Sequence, residues 1–255
     1  MKTIVIYPGR FHPFHKGHKA SYDYLSKKFG AGNVYVVSSG VTAPVTSPFT
    51  FSDKVDMMTK LGIPAGRIAQ VKAPYRADEI VKEVKDPENT ALVFAVSEKD
   101  MDPSAPRFKF GTKKDGSPTY MQPMPENPED MEPMSKHAYV LITPTVNFKV
   151  RGADANSASQ IRKMYIDGND NDRMGIIADL YGKPDPALKD IFDQRLEDSE
   201  KITEMMNYAR THDMNNGQRK RLTAILESIS HSEKIANLAH QSLREDIIPS
   251  YFQEI

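Results

Sequence analysis

Continuous apolar runs alternate with segments of helix-spaced apolar residues as far as Tyr181. Ile4-Val5-Ile6, Asn33 to Ser38 (Val34 to Val37), Thr90 to Val96 and Ala138 to Thr143 are apolar runs bounded by polar residues, the pattern of strands buried on both faces. Arg67 to Val71 is a shorter strand candidate. Between them the spacing predicts helices over Lys19 to Phe29 (Ala20, Tyr24, Leu25), Asp53 to Leu61 (Val55, Met58, Leu61), Ala77 to Val84 and Asp172 to Tyr181. Alternating strands and helices imply right-handed crossovers, giving an α/β architecture: a mostly parallel sheet with helices on both faces. In such a sheet ligands bind outside the carboxyl ends of the strands, so the turns after Ile6 and Val96 are where chemistry is expected.

Two stretches depart from this alternation. Residues 101–136 hold seven of the 18 prolines, with Lys109, Lys113 and Lys114 early and Glu126, Glu129, Asp130 and Glu132 late. Proline at that density does not sustain a helix or a central strand. A solvated insertion is the simpler reading; the other is a lid that carries Arg107 and the three lysines to an anionic ligand. Beyond Gly182-Lys183-Pro184-Asp185-Pro186 the chain is wholly helical in pattern, with helices expected over Ala187 to Tyr208, Gln218 to Ser230 and Ser232 to Ile248. The division expected is therefore a domain over 1–182 and a helical extension over 183–255 that packs on it or forms a homo-oligomer.

Composition removes several classes of function. Lys+Arg and Asp+Glu number 34 each, so net charge gives no reason to expect a nucleic-acid or anionic-membrane partner. Without cysteine there is no disulfide, thiolate metal site or thiol nucleophile. Met1-Lys2-Thr3 runs straight into the first strand and no apolar stretch reaches membrane-spanning length, so a cytoplasmic protein is expected.

The densest chemistry lies in Gly9-Arg10-Phe11-His12-Pro13-Phe14-His15-Lys16-Gly17-His18, which carries three of the seven histidines on a strand-to-helix turn. His15 and His18 are three apart and can share one helical face. Gly17 between them lets a bulky group approach the backbone. Arg10 offers a planar fork for phosphate oxygens, and the helix N-terminus favours an anion. With no carboxylate, serine or cysteine in the decamer, the set suits stabilisation of charge on a phosphate. A Walker loop and a dinucleotide fingerprint are both absent. A zinc site on His12, His15 and His18 and a plain basic loop are the alternatives.

This decamer resembles the HxGH signature of the nucleotidyltransferase superfamily, and within it the archaeal-type nicotinamide mononucleotide adenylyltransferases, whose turn commonly reads GRFQPFHxGH. His12 stands where those proteins usually have Gln. A second signature of the family, ISSTxIR, is similar to Asn156-Ser157-Ala158-Ser159-Gln160-Ile161-Arg162, which keeps one serine, a hydroxyl, the isoleucine and the arginine. The two motifs lie about 140 residues apart.

The resemblance implies a Rossmann-like fold and nucleotidyl transfer from a nucleoside triphosphate, ATP foremost, to a phosphate monoester such as nicotinamide mononucleotide, with magnesium (Mg2+) riding on the triphosphate and no protein-held metal. It assigns His15 and His18 to the α-phosphate and leaving group and Arg10 to a substrate phosphate. Ser157, Ser159 and Arg162 take the β/γ-phosphates, and Gly9, Phe11, His12 and Gly17 shape the turn. Ser97 and Asp100, after the Val96 strand, would lie near the nucleotide ribose or form an ordinary polar loop. A cytidylyltransferase and a non-catalytic nucleotide-binding or assembly protein remain as other readings. Asp53 and Lys54 are expected on a solvated helix face.

Overall fold

The computed structural model describes residues 1–43, 46–155 and 157–197, together with 215, 217–218 and 220–221. The first apolar run becomes β1 (Lys2–Pro8), an inner strand of a six-stranded sheet. β2 (Val34–Ser38) and then β3 (Ile68–Gln70) extend the sheet on one side. On the other side lie β4 (Thr90–Val96), then β6 (Ala138–Ile142), with β5 (Met121–Pro123) at the edge. Every pairing is parallel, with Val5 opposite both Val34 and Val93. The order reverses between β1 and β4, which opens a crevice at their carboxyl ends.

Successive side chains leave a strand on opposite faces, and here they feed two separate cores. Val5, Tyr7, Val34, Val36, Val93 and Ala95 enter one; Ile6, Val37, Leu92, Phe94 and Val96 enter the other. The first core is covered by α1 (Lys16–Phe29), α2 (Phe51–Lys60), α4 (Ala158–Asp167) and α5 (Asp170–Tyr181). The second is covered by the short α3 (Asp78–Val81) and by part of the proline-rich stretch.

That stretch is not the solvated insertion expected of it. Phe108 and Met134 are buried in the second core and Met131 in the first, while β5 adds the sixth strand. Pro123 sits in an edge strand, where a missing N–H is tolerated. A three-residue Met-Gln-Pro strand carries no β-branched residue or alternation by which sequence could mark it.

A hairpin of β7 (Lys149–Val150) and β8 (Ala153–Asp154) leads into α4. Its turn residues, Arg151 (φ 49°) and Gly152 (φ 80°), both adopt the left-handed conformation that tight two-residue hairpins need. Residues 186–197 are helical, and Leu188, Phe192 and Leu196 enter the first core. The rest of the expected 187–208 helix and nearly all of those over 218–230 and 232–248 lie outside the described residues, as does the oligomerisation assigned to them. Among the described residues no helix is long and apolar enough to cross a membrane.

Candidate active site

The turn between β1 and α1 is tied to β2 by Gly9, whose N–H donates to the Val37 carbonyl over 3.1 Å. Phe11 has a left-handed backbone (φ 52°) and folds its ring back over Gly9, into the space a Cβ there would need. The Phe11 ring meets Phe14 and His18 edge-on at 5.2 and 5.0 Å between centroids. Gly17 is required by its neighbours: a Cβ would lie 2.8 Å from the Phe148 ring and 3.1 Å from that of His15. Phe148, unmarked in the sequence, is thus the bulky group that Gly17 admits, and its ring centroid lies 4.8 Å from that of His15.

All three histidines use Nδ1 as an acceptor from the backbone. His15 caps α1 by accepting from Gly17 N at 3.2 Å, and His18 accepts from His15 N at 3.3 Å, so the pair forms a capping box. This cap starts α1 at Lys16, three residues before the expected start. His12 accepts from Phe49 N at 3.3 Å. An accepting Nδ1 places the proton of a neutral imidazole on Nε2, so each ring keeps an N–H donor for other use. The rings are neutral near pH 7. Burial, then the charges of Lys54, Arg162 and Arg10, lower His12 to about 2. Burial lowers His18 to about 4, and His15 is pushed well down by burial and then by His18 and Lys16. The His15 and His18 rings stack at 3.8 Å, which two imidazolium cations would resist.

Around this turn the structure gathers cations. Arg162 reaches back from α4, its Nη1 donating to the His12 carbonyl at 2.6 Å. Burial and the nearby Arg10 charge both depress its pKa. Arg10 is exposed, and its charge is also felt at His12 and Tyr75.

Lys54 corrects an expectation. It lies on no solvated face but is fully buried, with Nζ bonded to Ser38 Oγ at 3.1 Å and the Ser39 carbonyl at 3.0 Å. Burial lowers it to about 8, against a smaller upward pull from Asp53. Asp53 is also buried, capping α2 through Thr50 N and pairing with Arg195 at 2.8 Å. The signal was present in sequence: Lys54 precedes Met57 and Met58 by one turn and shares their buried face.

The remaining expected residues divide. Ser97 and Asp100 form a capping box at the end of β4, with Ser97 Oγ donating to Asp100 Oδ2 at 2.6 Å. Tyr75 donates to Asp100 Oδ1 at 2.6 Å, and the Arg107 guanidinium lies over the Tyr75 ring at 4.9 Å. Arg107 therefore docks the proline-rich stretch at the crevice, while Lys109, Lys113 and Lys114 are exposed. Ser157 caps α4 through Gln160 N, and its hydroxyl lies 3.0 Å from that of Ser159. Both serines are exposed, one turn ahead of Arg162. The alternative zinc set of His12, His15 and His18 is not assembled: among the described residues no group of three His, Asp or Glu could hold a metal ion.

A cavity of about 710 Å³ opens at the carboxyl ends of β2 and β3, lined by residues 39–42, 70–72 and Glu79. It adjoins the cations through Ser39, whose carbonyl holds Lys54. None of its lining residues stood out in the sequence.

No protein-family model matches the chain. A nicotinamide-nucleotide adenylyltransferase from Methanocorpusculum labreanum is 36% identical over 55 residues, which are 22% of this chain and 33% of that protein. The match thus spans about a third of the relative's length. Two crystal structures of a bifunctional NMN adenylyltransferase/ADP ribose pyrophosphatase from Francisella tularensis are similar over 84% of this chain and 57% of theirs. The one complexed with AMP and a manganese ion has 15% identity and a TM-score of 0.46; the other has 14% and 0.47. Over the stretch matched in sequence, the chain resembles nicotinamide-nucleotide adenylyltransferases.

Proposed function

We propose that this chain is a cytoplasmic nucleotidyltransferase of the HxGH type that joins a nucleoside triphosphate, ATP foremost, to a phosphate monoester, nicotinamide mononucleotide foremost, and releases pyrophosphate. One observation carries the reading: Arg162 of the second motif bonds the backbone of His12 in the first, so both motifs border one crevice. In the reaction an acceptor phosphate oxygen bonds to the α-phosphorus while the bond to the bridging α–β oxygen breaks, and pyrophosphate takes the electron pair. Such transfers run on positioning and on stabilising charge.

The residues present suit that task. His15 and His18 offer neutral Nε2–H donors for the α-phosphate and the departing oxygen, adding no cation that product would have to leave. Arg10, Arg162 and Lys54 supply the positive field, with Ser157 and Ser159 as hydroxyl partners for the β/γ-phosphates. The acceptor's organic part fits the cavity over β2 and β3, so its phosphate would enter beside Lys54. This donor set is imidazole and cationic, which matches phosphate oxygens; magnesium would therefore arrive as part of the nucleotide substrate, held by phosphate oxygens and water.

Pyrophosphate release, measured across a panel of nucleoside triphosphates and phosphomonoesters, tests the reading. Turnover with ATP and nicotinamide mononucleotide is the expected result. Release only with CTP and another phosphomonoester would select the cytidylyltransferase reading. Nucleotide binding without release in any pairing would make the chain a binding protein.

A further inference from the structure

The helix over residues 186–197 contacts α2 and α4, which carry Lys54 and Arg162, and reaches the turn between β1 and α1 through Tyr181. Phe192, fully buried, is the hub: its ring centroid lies 4.9 Å from Phe49, 5.1 Å from Tyr165 and 6.3 Å from Tyr181. Each of those residues leads on to the site. Phe49 N donates to His12 Nδ1, Tyr181 Oη donates to the Phe14 carbonyl at 2.8 Å, and Tyr165 lies three residues beyond Arg162 on α4. One turn from Phe192, Arg195 Nε holds Asp53 Oδ2, the residue adjoining Lys54. A helix serving only as a cover would be expected to contact the sheet's helices along its apolar face, without an ion pair placed next to the buried lysine.

We propose that this helix is part of the anion-binding machinery, and that Arg195 is a positioning residue that holds and compensates the Asp53 carboxylate next to Lys54. The inference rests on the reading of the crevice as a triphosphate site. Asp53 and Lys54 are chain neighbours, both buried, and a buried carboxylate without its partner seeks the nearest cation. Arg195 and the Thr50 N–H, at 2.8 and 2.7 Å, share Asp53 Oδ2 and satisfy it. Lys54 is then bonded to a hydroxyl and a carbonyl, and its charge stays available to an incoming anion. Without Arg195, Asp53 keeps only the Thr50 N–H, and its uncompensated negative charge offsets more of the charge on Lys54.

The test is tripolyphosphate binding by titration calorimetry on the full chain, beside urea midpoints. Arg195→Gln keeps the stem and removes the charge; affinity should fall roughly fivefold. Arg195→Lys should recover most of it. Adding Asp53→Asn to Arg195→Gln removes the competing carboxylate and should restore affinity without restoring stability, which a purely structural role would not do. Lys60→Ala breaks the Lys60–Asp185 bridge that ties the segment leading into this helix to the far end of α2, and should leave affinity unchanged. Unaltered affinity in Arg195→Gln, an equal loss in Lys60→Ala, or no recovery in the double variant would overturn the inference alone. Failure of the unsubstituted chain to bind tripolyphosphate would take down the triphosphate reading and this inference together.

Discussion

Arg162 Nη1 donates to the carbonyl oxygen of His12 over 2.6 Å, a contact between residues 150 apart in the chain. It fixes the second turn of α4 against the strand-to-helix turn and leaves the rest of the guanidinium's donors for a ligand. Arg162→Ala should weaken nucleoside triphosphate binding by about tenfold or more, the cost of losing a charge-assisted contact. Arg162→Lys should recover only part, because an ammonium cannot hold the carbonyl and fork a phosphate together. Equilibrium binding of a non-hydrolysable triphosphate measures this, and unchanged affinity in Arg162→Ala would refute the assignment.

His18 is expected to act on the departing phosphate. His18→Ala should lower kcat by roughly 10²–10³, as for loss of one preorganised donor. It also removes the acceptor for His15 N, so a stability loss of about 1 kcal/mol should accompany it. His18→Asn retains a side-chain acceptor near the turn and should separate the two effects, recovering stability more than turnover. Pyrophosphate release and urea midpoints on the same preparations decide it.

How much of this was legible in the sequence depended on the kind of signal. β1, β2 and β4 announced themselves as uninterrupted apolar runs because both their faces are buried. The first motif was readable because a loop this dense in imidazole has few structural uses. What sequence could not show is that each Nδ1 would accept a backbone N–H, since that depends on the left-handed Phe11 and on Phe49, 37 residues from His12. Lys54 was misplaced for a different reason: the face drawn through Val55, Met58 and Leu61 already includes position 54, one turn before Met58, but a lysine there reads as a packed stem with its ammonium in solvent, whereas the structure buries it whole beside Met57 and Met58. The β2–β3 cavity is built from ordinary loop residues, and only the sheet order brings residues 39–42 beside 70–72.

Lys54 makes binding and stability respond to pH in opposite senses. Burial holds it near 8, so anion affinity should fall between about pH 7 and 9 as the ammonium loses its proton. In the unfolded chain the same group titrates near 10.4. Between these values the unfolded state binds more protons, so this group makes the fold more stable as pH rises. Lys54→Met should abolish the alkaline loss of tripolyphosphate affinity, weaken binding at pH 7, and raise the urea midpoint at pH 7. A midpoint that falls at pH 7 would show that the ammonium's two bonds outweigh its desolvation.

The histidines produce a second pH effect, on the acid side. An exposed imidazole in the unfolded chain protonates near 6.5, while burial holds His18 to about 4 and His12 to about 2. Below pH 6.5 the unfolded state therefore takes up protons that the fold refuses, and stability falls as pH drops toward 4. His18 stops contributing below about pH 4 and His12 continues beyond it. His12→Gln installs the residue usual in the resembling adenylyltransferases, and its amide oxygen can still accept from Phe49 N. That variant should match the parent at pH 7.5 within about 1 kcal/mol and exceed it at pH 5, in chemical denaturation at both values. Parallel losses in the two chains between pH 7.5 and 5 would mean that His12 protonates within the fold, and the neutral-donor account of this turn would fail with it.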